Sequence, residues 1–191
     1  MSPALIPSLN ASAHGAYVPL GYQSLTTTTA VIYFNNIPQI YQDLYLVVYG
    51  RSDIGGVLPS GLSLYTQQAS GTANFSATGL YGNGSSYASN RFTTSSPTYG
   101  FQSTVAVFPS SGAPSNLYGM SEAHLLNYAS TTTNKSCLIQ SAGNVNGSGV
   151  SALTIGLWAQ TSAITTLQVA TYGNFVAGSS AALYGVRSVG Q

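Results

Sequence analysis

Leu44-Tyr45-Leu46-Val47-Val48-Tyr49 decides the fold class, because every side chain in it is aliphatic or aromatic and the run is of strand length. A strand with no polar face either lies deep in a sandwich or has its outer face covered by a partner chain, and both readings stand open. Upstream, Ala30-Val31-Ile32-Tyr33-Phe34 has the same character, and downstream so do Leu62-Ser63-Leu64-Tyr65 and Thr104-Val105-Ala106-Val107-Phe108. Further strands are expected over 121–128, 136–140, 151–159, 164–170 and 181–186, divided by Gly, Ser, Asn and Pro. Helix formers at a 3.6-residue period are missing. The alternation in Leu62-Ser63-Leu64 and Val105-Ala106-Val107 suits two sheets that each turn one face to a shared core. The expectation is an all-β, antiparallel β-sandwich.

The first ~20 residues, with Pro3, Pro7 and Pro19 and scattered Leu5, Ile6 and Leu9, read as an extended N-terminal arm (1–20) preceding a single sandwich domain (21–191). Such an arm can lie on a neighbouring subunit. Residues 70–96 hold many Gly, Ser and Asn with Phe75, Tyr81, Tyr87 and Phe92 interspersed, and read either as a long contact loop or as Gly-rich hairpins packing their own aromatics. The Thr26–Thr29 and Thr131–Thr133 tracts belong at strand edges or turns. Leu-Tyr-Gly recurs at 80, 117 and 183, but the unequal spacing excludes a repeat fold and marks strand ends.

Charge narrows the function. Charged residues make up 4% of the 191 residues: Asp43, Arg51, Asp53, Arg91, Glu122, Lys135 and Arg187. A net charge of +1 without a basic run argues against nucleic acid as a partner. The same near-neutrality removes the repulsion that keeps free copies apart, and favours assembly. With 44% hydrophobic residues and 14 tyrosines the chain can bury a core rather than stay disordered. No run is long and apolar enough to span a membrane as a helix, and Met1 to Pro7 lacks the charged and apolar regions of a signal peptide. Cys137, the only cysteine, sits in a strand-like run and is expected to be a buried, inert thiol.

Groups able to do chemistry are few. Glu122 and His124 share one strand face at i, i+2 and form the best catalytic pair, yet no Gly-x-Ser-x-Gly elbow supplies a nucleophile, so a structural hydrogen bond or an interface contact is the favoured role. Asp43 and Asp53 could serve as two hydrolytic carboxylates, but Arg51 beside Asp53 suggests ion pairing. Two distant histidines and one cysteine give no metal-ligand spacing, and no cofactor is implied. The Asn-x-Ser sequons at Asn10, Asn74, Asn83, Asn134 and Asn146 are ordinary products of an Asn- and Ser-rich chain.

Several strings carry a resemblance. Residues 36–48 (Asn-Ile-Pro-Gln-Ile-Tyr-Gln-Asp-Leu-Tyr-Leu-Val-Val) with Arg51-Ser52-Asp53, then Leu80-Tyr81-Gly82-Asn83-Gly84-Ser85, Asn127-Tyr128-Ala129-Ser130, Gly156-Leu157-Trp158 and Gly173-Asn174-Phe175-Val176-Ala177-Gly178-Ser179, are similar to virion structural proteins of tailed phages of cyanobacteria and marine bacteria. Asn134-Lys135-Ser136, Ala163-Ile164-Thr165 and the closing Leu183-Tyr184-Gly185-Val186 extend the likeness over roughly residues 20–187. The resemblance implies a jelly-roll-like sandwich without catalytic residues. It also implies a capsid decoration (cement) protein that grips the major capsid protein, commonly as a homotrimer, or else a tail or fibre component; a short chain with its own Met1 and no repetitive shaft favours cement over fibre. Contact residues are expected among the aromatics: Tyr17 and Tyr22 on the arm, and Tyr81, Tyr87, Phe92 and Tyr99 in the 70–96 region and beyond it. A glycan-binding receptor module is a rival reading, and a hydrolase using Glu122 and His124 ranks last.

Overall fold

The computed structural model describes residues 16–58, 60–66, 75–94, 100–103 and 107–188. They form twelve strands and, among the described residues, no helix. In chain order the strands are β1 (Tyr17–Ser24), β2 (Thr29–Phe34), β3 (Asp43–Gly50), β4 (Leu62–Thr66), β5 (Phe75–Gly82), β6 (Tyr87–Thr94), β7 (Phe101–Gln102), β8 (Gly119–Leu126), β9 (Lys135–Asn144), β10 (Gly149–Trp158), β11 (Leu167–Phe175) and β12 (Ser180–Val186). Two antiparallel sheets pack as a sandwich. The larger runs β1-β12-β3-β8-β9-β10-β5-β6, and the smaller runs β2-β11-β4-β7.

The core follows from the alternation. In β3, Leu44, Leu46 and Val48 are fully buried, while Tyr45, Val47 and Tyr49 point to the other side. Inward residues of β8 and β9, such as Ala123, Leu125, Cys137 and Ile139, continue this layer and meet Ile32, Leu62, Leu64 and Val169 of the smaller sheet. Where β10 and β5 pass over the smaller sheet the space is filled by aromatics: Phe75 stacks on Trp158 at 5.7 Å between centroids and meets Phe101 edge-on at 5.5 Å. The facing strands there turn small residues inward. A Cβ on Gly156 would stand 2.9 Å from a Phe101 ring carbon.

Two hairpins extend the larger sheet. The β9–β10 turn has Asn146 at φ 61° and Gly147 at φ 103°, the two positive values that a two-residue type I′ turn demands, and Val145 N donates to Ser148 O at 2.8 Å. In the β5–β6 turn, Asn83 Oδ1 accepts from Ser85 N and Ser86 N, at 3.0 and 2.9 Å.

Of the two readings of residues 70–96 the hairpin one holds where the chain is described: β5 and β6 pair over their full length, from Phe75 opposite Thr94 to Gly82 opposite Tyr87. The arm expected over 1–20 does not hold at its C-terminal end. Residues 17–20 lie in β1, paired to β12 from Tyr17 opposite Val186, and Pro19 is tolerated because β1 is an edge strand with a register shift between Pro19 and Gly21. Residues 1–15 lie outside the described residues, as do 104–106 of the strand expected at 104–108; Phe108 forms an isolated bridge to Ser60, and the nearby strand is β7. The strand expected from Ile164 starts at Leu167 and runs on to Phe175.

Candidate interaction surface

The side of the eight-stranded sheet that faces away from the core is built in straight rows. One row crosses all eight strands: Tyr22, Ala182, Val47, Glu122, Gln140, Leu153, Leu80, Ser89. The next on one side contains Tyr184, Tyr45, His124, Leu138, Ile155, Thr78 and Arg91, and on the other Tyr49, Met120, Ala142, Ser151, Gly82 and Tyr87. Apolar side chains dominate: Leu80 is 62% exposed, Ile155 48%, Met120 46% and Tyr87 93%.

β10 and β5 show this orientation most clearly. In β10 the bulky Leu153, Ile155 and Leu157 point outward, while Ala152, Thr154 and Gly156 face the core. β5 does the same with Leu80 outward and Ala77 and Gly79 inward. A one-residue slip of either strand would send the larger set to the core, and the phenyl and indole rings already packed there leave no room for it. Leu80, Tyr87, Met120, Glu122, Gln140 and Leu153 line a groove of about 930 Å³ on this side.

Ionisable groups are largely committed within the molecule. Arg51, 7% exposed, donates from Nη1 to Pro114 O and Leu117 O (2.7 and 3.1 Å) and from Nη2 to Ser110 O and Ala113 O (2.7 and 2.8 Å). The expected ion pairing of Arg51 with Asp53 is therefore corrected. A guanidinium fork matches four carbonyls of one looping segment, whereas Asp53 accepts from Asn174 N and Nδ2 at 2.8 and 2.7 Å. Those two hydrogen bonds, the side-chain one first, hold the Asp53 carboxyl below its usual range. Lys135 is fully buried and its Nζ donates to Ser130 O, Thr133 O and Thr161 O; burial lowers its pKa. Cys137 is buried and its thiol pKa is pushed up by desolvation, as expected of an inert thiol.

Glu122 and His124 do share the outer face, but each turns to a different partner. His124 Nε2 lies 3.3 Å from Asp43 Oδ2, and Asp43 Oδ1 also accepts from Asn127 N at 2.7 Å. Glu122 accepts from the Tyr45 hydroxyl; partial burial first, and this hydrogen bond second, raise the Tyr45 pKa to about 12. Among the described residues no three His, Cys, Asp or Glu side chains cluster as metal ligands, and no helix is long and apolar enough to cross a membrane.

The expected contact aromatics separate. Tyr17 and Tyr22 sit on β1 at one edge of the larger sheet, 53% and 68% exposed, with the Tyr17 ring 5.2 Å from that of Tyr45. Tyr87 stands on β6 at the opposite edge. Tyr81 is half-buried against the core, Phe92 is partly buried on the same side of its hairpin, and Tyr99 lies outside the described residues. The expectations passed over Tyr49, Met120, Leu153, Ile155 and Leu157. The signal for Tyr49 was present in the all-apolar 44–49 run and that for Leu153, Ile155 and Leu157 in the large-small alternation of 153–157, whereas Met120 carried none. Tyr49 stacks on Tyr118 at 4.7 Å and 15°, and extends the aromatic border of the face.

Comparison of the chain with protein-family models, with curated proteins and with solved structures gives no match.

Proposed function

We propose that this chain is a non-enzymatic virion structural protein of a tailed phage, a capsid decoration protein that stabilises the shell by binding the major capsid protein and further copies of itself. The carrying observation is the outer face of the eight-stranded sheet, where aliphatic and aromatic side chains stand exposed, while Arg51 and Lys135 are buried and Asp53 is held by Asn174. Such a surface gains free energy by being covered and loses little to desolvated charge.

The strand order supports the jelly-roll reading. Four strands, β1-β12-β3-β8, oppose β2-β11-β4-β7, and the chain crosses between these sets from β1 through β4 and again from β11 to β12, as two interleaved Greek keys require. The hairpins β5–β6 and β9–β10 then widen one sheet. The homotrimer and the virion location come from the sequence resemblance. Cosedimentation of purified protein with shells of the phage that encodes it tests the reading. Saturable binding at a fixed ratio to the capsid protein is expected; retention on tails alone, or on a glycan array in place of shells, would replace it with the fibre or receptor reading.

A further inference from the structure

Three exposed aliphatic residues in line on one strand, Leu153, Ile155 and Leu157, call for a cover, and the rows around them show what shape fits. Rotation by a half-turn about an axis along β10 lays a second identical sheet on the first. These three residues then meet their own counterparts, β5 lies against β9, and β6 lies against β8. The facing partners suit one another. Met120 of one copy comes opposite Tyr87 of the other, Glu122 opposite Ser89 and His124 opposite Arg91, which pairs a thioether with an aromatic ring and leaves the Glu122 carboxylate one row diagonally from the exposed Arg91 guanidinium, within reach of so long a side chain. Thr78 comes opposite Leu138, and the small Gly82 opposite the small Ala142.

The size is adequate. Five strands about 4.8 Å apart and four outward residues about 6.8 Å apart along each give roughly 600 Å² per copy, or about 1,200 Å² for the pair, above the ~1,000 Å² that a specific interface needs.

We infer that the outer face of the eight-stranded sheet, centred on β10, docks a second copy of this chain face to face about a two-fold axis along that strand. The inference rests on the reading of the protein as one that assembles, and adds the surface and the partner. Sedimentation equilibrium of the full-length protein tests it. The wild type is expected to have the mass of two chains or an even multiple, and Ile155→Asp to halve that mass while thermal unfolding stays cooperative. Glu122→Arg and Arg91→Glu are each expected to weaken self-association about tenfold, and the double variant to recover most of that loss. A wild-type monomer, a trimer indifferent to Ile155→Asp, or charge variants whose effects simply add would overturn the inference. So would a monomer whose Leu153–Leu157 face is instead needed for binding shells or a glycan. An intact dimer that ignores shells would strike the proposed function and leave this contact standing.

Discussion

Arg51 shows how one residue organises a segment that has no regular structure of its own. Its guanidinium holds four carbonyls between Ser110 and Ala113, Pro114 and Leu117, and so fixes the approach to β8. Each bond to a charged donor is worth more than a neutral one, and removal of the donor takes the partner from the buried Ala113 carbonyl, while Ser110 O and Pro114 O keep the bonds from Ala113 N and Leu117 N. Arg51→Ala is expected to cost about 3 kcal/mol or more in urea unfolding, and Arg51→Lys most of that, because an ammonium cannot reproduce the fork. A loss below about 1 kcal/mol would mean that water serves those carbonyls equally well. Tyr45 gives a test on the outer face. Its folded pKa of about 12 lies above the ordinary phenol value of 10.0, so the folded state keeps a proton that the unfolded state has released. This contribution to stability is complete below pH ~10 and is lost as pH rises toward 12. Tyrosinate absorbance should show Tyr45 and the buried Tyr128 titrating late in the folded protein, and Glu122→Gln should bring Tyr45 partway down, since burial is the larger cause. The reverse sign holds for Asp53, whose lowered pKa contributes stability above pH ~4 that fades as pH falls.

At the scale of elements, backbone proximity sets the tightest limits. Gly143 in β9 runs so close to the 107–109 segment that a Cβ would fall 1.8 Å from Val107 O, whereas one on Gly55 would meet open space. Gly143→Ala is therefore expected to destabilise by about 3 kcal/mol, through displacement of β9, and Gly55→Ala to change stability by no more than ~0.5 kcal/mol. Chemical denaturation of the two variants checks the contrast; equal effects would refute it. Most strands were legible in the sequence because their β-branched and aromatic residues alternate, as in Leu62-Ser63-Leu64 and the 44–49 run. β5 and β6 were ambiguous, since Gly, Ser and Asn compose loops and hairpins alike and the pairing is carried by the backbone. β1 was hidden by its prolines, which mark an edge strand as readily as an arm. The partners of Arg51 were invisible because they are main-chain carbonyls 59 to 66 residues away. The outer face was half legible. Periodicity divides Leu153, Ile155 and Leu157 from Ala152, Thr154 and Gly156, but only the three rings beneath β10 decide which set turns inward.

For the whole molecule, stability draws on one side of the larger sheet and the proposed function on the other. The inner side is packed against the smaller sheet, and the outer side keeps enough apolar surface for a partner. Met120 lies on that outer side near the start of β8, 46% exposed, so limited peroxide oxidation with added free methionine as the reference offers a reporter. The rate of sulfoxide formation at Met120 relative to added free methionine, compared between dilute protein and the assembled state, is the most direct measurement of whether this face is covered. At least a tenfold slowing at Met120 on assembly is predicted, whereas an unchanged ratio would contradict the claim that the protein works through this surface.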